Sequence, residues 1–153
     1  TATPEIYTRS LHDALPISFS DDEALLEYAD LILAELSEGD LDEALSGHPR
    51  IGDRADNPSS AREQSGVTGA DASVLAELKD LNAAYEDRFG HVYLVFANGR
   101  PAAELLAILK QRMRNDPATE RRVMRAELAK INRSRLIRML APAGNFDDAA
   151  ATS

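Results

Sequence analysis

Two short polar motifs near the middle of the chain contain the residue types that acid–base chemistry needs. The first is HPRIG at 48–52, directly after Gly47. The residue before a proline is restricted to extended geometry, so the His48 imidazole is predicted to lie on a stiff turn. Histidine can exchange a proton near neutral pH, which makes His48 a candidate general acid or base. A histidine at a helix end can also interact with the last helical carbonyls, and bare sequence favours that structural role.

The second motif is SAREQ at 60–64. Ser60 and Glu63 have the spacing of a capping box, which predicts a third helix that starts here and is bounded by Gly66 and Gly69. The free N–H groups of a helix start can bind polar or anionic ligands. Glu63 can accept hydrogen bonds from such a ligand, and Gln64 can donate or accept them.

Two further features can contribute to a binding site. The run HVYLVFA at 91–97 is apolar and too short for a confident helix, so it is predicted to be a buried extended segment that ends at the Asn98-Gly99 turn. The backbone groups of such a segment need partners, and they can serve a planar polar ligand as well as the core. Arg135 is by default a solvated residue, but its guanidinium geometry suits a ligand carboxylate.

The elements that must position these residues are helices. Apolar residues at helical spacing predict helices at 21–36, 41–46, 71–88, 101–114 and 117–140. Ser20 and Asp40 are predicted to cap the first two, and Gly39, Gly47 and Gly90 to end the first, second and fourth helices. The predicted fold is an all-α, single-domain helical bundle with one short extended segment near 91–97. Residues 1–18 are interpreted as a poorly specified arm, with foreign sequence as the alternative, 19–141 as the domain and 142–153 as a flexible tail.

Composition limits the alternatives. The 153 residues contain no Cys, which excludes thiolate nucleophiles and Cys-based metal sites, and the two candidate histidines His48 and His91 are not closely paired, so no metal is expected. The net charge of −9 disfavours general nucleic-acid binding, although residues 110–138 carry a local +7. Because no stretch approaches the length of a membrane span and the start does not resemble a signal peptide, we expect a cytoplasmic protein with no membrane association.

The motifs together resemble one family, the 2-oxo-4-hydroxy-4-carboxy-5-ureidoimidazoline (OHCU) decarboxylases of urate breakdown. The order and spacing of the matching pieces are more specific than any one of them, and the resemblance covers about residues 19–141. The pieces are HPRIG at 48–52, SAREQ at 60–64, LNAAYEDRFG at 81–90, VYLVFANGR at 92–100 and KINRSRLIRML at 130–140. The chain departs from the common family pattern at His91, Val92 and Asn98.

The resemblance implies an all-α fold, a homodimer, no cofactor and release of CO₂ from OHCU to give (S)-allantoin. It also implies an association in the pathway with a hydroxyisourate hydrolase. By resemblance His48 is the catalytic acid, and Glu63 is the carboxylate that hydrogen-bonds the ligand and His48. A carboxylate there would favour the imidazolium form. The remaining residues implied to contact substrate are Pro49, Ser60, Gln64, Tyr93, Leu94, Val95, Phe96, Ala97 and Arg135, those of 93–97 through their backbone.

Three other interpretations stay open at the level of sequence. A non-catalytic all-α binding module would keep the helices without needing His48 beside Glu63 and a pocket. A nucleic-acid binder would use the basic stretch 110–138 and would show steeply salt-dependent affinity. A related helical enzyme with another ureido or imidazoline substrate would share the chemistry.

Overall fold

The computed structural model describes residues 21–52 and 58–141, and within them the chain is built from helices. Their bounds are Asp22–Glu35 (α1), Glu38–Ser46 (α2), Pro58–Glu63 (α3), Ala72–Phe89 (α4), Ala102–Arg112 (α5) and Pro117–Leu140 (α6), with a 3-10 turn at Ser65–Val67. These two ranges contain no β-strand, which confirms the predicted all-α class. None of the helices in this part is long and apolar enough to cross a membrane.

The boundary between the first two helices differs from the prediction. Helix α1 ends at Glu35, and Gly39 lies inside α2 instead of ending α1. Ser37, not Asp40, caps α2, because the Ser37 Oγ accepts a hydrogen bond from the Asp40 N–H at 3.2 Å. Ser37 and Asp40 are both suitable N-cap residues, and the helix begins after the earlier one, Ser37. Asp21 caps α1 by accepting from the Ala24 N–H at 2.8 Å, while the predicted cap Ser20 lies outside the described residues.

Other helix ends agree with the predicted signals. Gly90 ends α4 in the left-handed conformation (φ 76°), which glycine adopts without steric cost. Asp116 caps α6, and Pro117 occupies its first turn, where the missing N–H costs no hydrogen bond. Asn98 and Gly99 both have positive φ, and the Arg100 N–H donates to the Ala97 carbonyl at 2.8 Å. That pattern is typical of a tight type I′ turn, as predicted.

Helix α6, which carries most of the basic residues of the stretch 110–138, packs along α1. Arg133 pairs with Glu23 and Asp30 of α1, Arg121 pairs with Glu38 and Asp42 of α2, and Arg125 pairs with Glu38. Much of the positive charge of this stretch therefore binds acidic residues of the same chain.

Segment 91–97 runs between two apolar clusters. Tyr93, Val95 and Ala97 belong to the cluster built with α4 and α5, whereas Leu94 belongs to the cluster built with α1, α2 and α6. Alternation of successive side chains between two sides is typical of extended backbone. The predicted buried extended segment is therefore confirmed as the layer between the two halves of the core.

A buried charged network holds this segment. Arg112, at the end of α5, donates from Nη1 to the Leu94 carbonyl at 2.6 Å and from Nε to the Glu120 carboxylate at 2.7 Å. Glu120 is fully buried and also accepts from the Tyr85 hydroxyl and from Asn115. Burial, together with the hydrogen bond to Glu120, raises the pKa of Tyr85 well above its usual value, so its hydroxyl is a stable donor.

Replacing Arg112 should therefore be costly to the free energy of unfolding. In Arg112→Leu the Glu120 carboxylate stays buried without its cation, and a loss of about 3–5 kcal/mol is expected. The control is Arg121→Leu, whose partners Glu38 and Asp42 have side chains 66% and 65% exposed. Such a surface pair contributes about 0–1 kcal/mol. Urea unfolding of both variants checks the contrast, and equal losses would contradict the assigned role of the buried network.

Candidate active site

One small cavity brings together most of the residues that the sequence picked out. It lies between the turn after α2, helix α3, segment 91–97 and helix α6. It is lined by His48, Pro49, Ile51, Ser60, Glu63, Gln64, Leu94, Val95, Ala97, Ile131 and Arg135. The geometric condition for catalysis, that His48, Glu63 and the extended segment converge on a single cavity, is therefore met.

The turn that carries His48 is held at several points by the other motifs. Gln64 accepts from the Gly52 N–H at 3.0 Å and donates to the Arg50 carbonyl at 3.4 Å. The side-chain amide of Asn82 on α4 donates to the Ile51 carbonyl at 3.0 Å. These bonds fix the backbone of the three residues at 50–52, which follow His48 in the turn.

The two ends of the turn are fixed as well. The His48 N–H donates to the Leu45 carbonyl at 3.0 Å, which continues the end of α2. Arg50 makes a two-point contact with Glu86 of α4, at 2.5 and 2.8 Å. With its backbone anchored in this way, the turn places the half-buried His48 ring at the cavity.

The SAREQ motif lies at the cavity, but not as a helix start. Helix α3 begins at Pro58 and ends at Glu63, so Ser60 is inside the helix and the predicted capping box is wrong. Glu63 and Gln64 instead occupy the end of the helix, and the Glu63 carbonyl accepts from the Gly99 N–H at 3.0 Å. A ligand at this position therefore meets the side chains of Ser60 and Glu63 and not free helical N–H groups.

Close backbone contact brings α3 and the extended segment together. A Cβ added at Gly66 would lie only 2.1 Å from the Gly99 carbonyl oxygen and 2.3 Å from that of Arg100. Only glycine leaves room for the two turns to cross. This crossing sets Glu63 and Ala97 at the same cavity.

Glu63 is the centre of an ion cluster. Arg135 contacts both of its carboxylate oxygens at 2.8 Å, and Arg138 contacts one at 2.9 Å. Arg135 also lies 3.4 Å from the Ser60 hydroxyl. Burial alone would raise the pKa of Glu63, but the hydrogen bonds from Arg135 and Arg138 outweigh it and hold that pKa below its usual value. Glu63 is therefore ionised at neutral pH, in a cluster with one excess positive charge.

The electrostatics at His48 differ from the sequence expectation. Burial lowers the pKa of the imidazole, and the positive charge of Arg135 lowers it further. Glu63 acts in the expected direction and raises that pKa, but it is the smallest of the three causes. Burial of the ring and the charge of Arg135 thus outweigh Glu63, and together they hold the pKa of His48 below its ordinary value.

Several lining residues and contacts were not predicted individually. Arg138 contacts Glu63 because it lies three residues after Arg135 and so on the same helical face, a spacing visible in the sequence. Ile51 and Ile131 form apolar walls of the cavity. Tyr93 and Phe96 do not line it: the Tyr93 hydroxyl donates to the Leu105 carbonyl at 3.1 Å inside the core, and Phe96 packs against the cluster of α1, α2 and α6.

The cavity is small, at about 20 Å³. That volume holds about one water molecule, whereas ligand sites usually measure roughly 300–1,000 Å³. A larger groove of about 490 Å³ lies elsewhere, along Asp42, Glu86, Asp87 and His91. It contains none of the predicted site residues, so the chemistry of the lining residues and not the volume makes the smaller cavity the candidate site. The side chains of Arg135 and Arg138, which hold Glu63 beside this cavity, are partly exposed.

The opposing effects of Arg135 and Glu63 on His48 can be measured by NMR. The folded protein should show His48 titrating below the ordinary histidine value of about 6.5. In Glu63→Gln the pKa should fall further, because the raising charge is lost and Arg135 remains. Since the folded pKa is the lower one, the free energy of unfolding contributed by neutral His48 is present above about pH 6.5 and is lost as pH falls towards the folded pKa. A His48 pKa that rises in Glu63→Gln would contradict this assignment, and His48→Gln identifies the resonance.

Comparisons with known proteins agree on one family. A family model described as OHCU decarboxylase matches residues 2–137. The uric acid degradation bifunctional protein TTL of Arabidopsis thaliana is 33% identical, over 76% of this chain and 39% of that protein. The 2-oxo-4-hydroxy-4-carboxy-5-ureidoimidazoline decarboxylase of Amia calva is 38% identical, over 48% of this chain and 42% of that protein. The chain thus spans about two-fifths of the length of these relatives.

Solved structures give the same result. The crystal structure of an OHCU decarboxylase in the presence of (S)-allantoin superposes with a TM-score of 0.72 at 28% identity, covering 88% of this chain and 89% of that one. The crystal structure of (S)-allantoin synthase superposes with a TM-score of 0.64 at 21% identity, over 79% of this chain and 39% of that one, which supports the fold alone. Because the family model covers most of the chain and its motifs meet at one cavity, the chain belongs to the OHCU decarboxylase family.

Proposed function

We propose that this chain removes CO₂ from OHCU and gives (S)-allantoin in urate degradation, without a cofactor. The observation that carries the proposal is the convergence of His48, Glu63 and Arg135 on one cavity in a member of this family. The relatives named above act in uric acid degradation or on OHCU, as their names state.

The substrate itself supplies the electron sink. When the bond to the carboxylate breaks and CO₂ leaves, the electron pair is released next to a C=N bond, and the ring nitrogen can take it up. A double bond between the two ring carbons results. A proton is then added to the carbon that bears the ureido group, while the hydroxyl on the neighbouring carbon passes its proton to the ring nitrogen and becomes the carbonyl. The face on which the carbon is protonated fixes the chirality of allantoin. A protein can accelerate both steps with a positioned acid and an oriented substrate.

His48 is proposed to be the acid that delivers this proton. A lowered pKa makes its imidazolium a stronger acid, although a smaller fraction is charged at pH 7. Glu63 opposes the lowering and is proposed to hydrogen-bond the bound ligand and to orient His48. When the substrate enters, its carboxylate is proposed to draw Arg135 away from His48. The lowering effect of Arg135 on the pKa of His48 is then weaker, and the raising effect of Glu63 counts for more.

Arg135 is proposed to recognise the substrate carboxylate. Its guanidinium already makes a two-point contact with Glu63, so its planar fork is oriented towards the cavity. Two arginines share one carboxylate there, which leaves a positive charge for an anionic substrate. Pro49, Ser60, Gln64, Leu94, Val95 and Ala97 complete the proposed contact surface, with Tyr93 and Phe96 contributing through the backbone of their segment.

The direct test generates OHCU in situ from urate and follows circular dichroism for (S)-allantoin. The wild type should form chiral product rapidly, and His48→Ala should lower the rate by about 10²–10⁴-fold, the usual contribution of a general acid or base. His91→Gln is the matched control, because His91 lies in the described chain away from the cavity and should leave the rate unchanged.

Each outcome of this assay decides between functions. Chiral product from the wild type and from His91→Gln, but not from His48→Ala, supports the decarboxylase with His48 as its acid. Fast chiral product from all three proteins would remove His48 from the mechanism. Equal slow racemic decay with all three would exclude OHCU as substrate and leave a binding module, or an enzyme for another ureido compound.

We further propose a cytoplasmic homodimer that works beside a hydroxyisourate hydrolase. The relative from Arabidopsis thaliana is bifunctional by name and is much longer than this chain, which supports a second activity close by. Apolar side chains on α1 and α6 support self-association: Leu31 and Ile32 are 61% and 48% exposed, and Ile137 and Met139 are 50% and 79% exposed.

Sedimentation equilibrium should therefore give twice the monomer mass at micromolar concentration. The double variant Leu31→Glu, Ile32→Glu should sediment as a monomer, because burial of charged groups opposes the contact. Glu27→Gln, on the same helix and also exposed, is the control and should leave the mass unchanged. A monomer mass for the wild type would contradict the proposed dimer without affecting the proposed reaction.

A further inference from the structure

We propose that Glu127 is a positioning residue for the reaction proposed above: its carboxylate holds the Phe96 N–H and thereby presents the other edge of segment 93–97 to the substrate. Glu127 lies on α6, and its Oε2 accepts the Phe96 N–H at 2.7 Å. Neither residue lines the cavity, so Glu127 would act through the backbone that it holds. The inference rests on the proposed function, because it assigns a role in that same site.

Backbone hydrogen-bonding groups alternate between the two edges of an extended segment. The N–H and C=O of one residue point to one edge, and those of the next residue point to the opposite edge. Leu94 and Phe96 therefore share an edge, and both are held by charged side chains: the Leu94 carbonyl by Arg112 at 2.6 Å and the Phe96 N–H by Glu127 at 2.7 Å.

The opposite edge belongs to Val95 and Ala97, which line the cavity. Within the described residues, the Val95 backbone and the Ala97 N–H make no hydrogen bond, while the Ala97 carbonyl accepts from Arg100 in the turn. Backbone polar groups in a buried position need partners. A planar ligand with alternating N–H and C=O groups, such as an imidazoline with a ureido arm, supplies matching donors and acceptors at this edge.

Glu127 suits this task because its carboxylate is largely buried and is paired with a lysine. Glu127 has a side chain only 12% exposed and forms an ion pair with Lys130 at 2.6 Å. Burial alone would raise the pKa of Glu127, but Lys130 and the Phe96 N–H outweigh it and keep that pKa below its usual value. The carboxylate is therefore ionised, and a charge-assisted hydrogen bond is stronger than a neutral one.

The chain offers matched variants that separate the ion pair from the backbone contact. Glu127→Ala removes both, Glu127→Gln keeps an oxygen that can accept from the Phe96 N–H, and Lys130→Met removes only the ion pair, whose lysine is 58% exposed. The expected result is a KM about tenfold higher in Glu127→Ala with a smaller change in kcat, which is the scale of one hydrogen bond to a charged group. Glu127→Gln should recover most of the wild-type KM, and Lys130→Met should equal the wild type.

Amide hydrogen exchange at Phe96 gives a readout that does not depend on activity. It should be slow in the wild type, in Glu127→Gln and in Lys130→Met, and at least about tenfold faster in Glu127→Ala, which loses the only acceptor assigned to that N–H. Where the Ala variant fails to fold, Glu127→Asp replaces it, since the shorter side chain keeps the charge but does not reach Phe96.

The outcomes separate this inference from the proposed function. Faster exchange at Phe96 with an unchanged KM, while the wild type makes (S)-allantoin, would overturn the positioning role and leave the decarboxylase in place. An equal rise of KM in Lys130→Met would also overturn it, because the ion pair and not the backbone bond would then be responsible. A wild type that makes no chiral product would overturn the proposed function and this inference together, whatever the exchange rates.

Discussion

The structure depends on satisfying the backbone of one extended segment that has no neighbouring strand within residues 21–52 and 58–141. In a helical protein the polar groups of residues 91–97 cannot pair in a sheet, and burial makes unpaired groups costly. The described part of the chain meets this constraint with charged side chains from α5 and α6, Arg112 at Leu94 and Glu127 at Phe96. That solution satisfies one edge from within the protein and leaves the other edge at the cavity. Under the proposed function, a requirement of folding thereby also provides the surface that binds the substrate.

The motifs that resemble the family are explained by the contacts they make with one another. Gln64 of SAREQ, and Asn82 and Glu86 of the LNAAYEDRFG motif, all bind the turn that carries His48. These residues therefore hold the turn that places the His48 imidazole at the cavity. The same logic applies to Gly66, where the close crossing of two turns sets the distance between Glu63 and the extended segment. The local sequence motifs and the tertiary contacts between them therefore favour the same structure.

The sequence predicted the helices better than their ends, and it did not predict the electrostatics at the cavity. Gly90 marks a helix end that local chemistry alone determines, and that prediction is confirmed. Ser60 was misplaced because its capping-box spacing is local, whereas its position inside α3 is set by burial against α6. The lowered pKa of His48 could not be read from the sequence, because it depends on the burial of the ring and on the approach of Arg135, which is 87 positions away by residue number.

The charges at the cavity bear on how a closed site can bind an anion. Glu63 is shared by Arg135 and Arg138, and the cavity beside it is smaller than any substrate. An incoming carboxylate can replace Glu63 as the partner of one arginine while the other arginine keeps Glu63 ionised, so no buried charge is left without a partner during the exchange. A single arginine would have to abandon Glu63 to bind the substrate, and the stranded carboxylate beside His48 would oppose entry. Under the proposed function, the second arginine would keep Glu63 paired while the first binds the substrate, which gives a physical reason why a site for an anionic ligand can contain a carboxylate of its own.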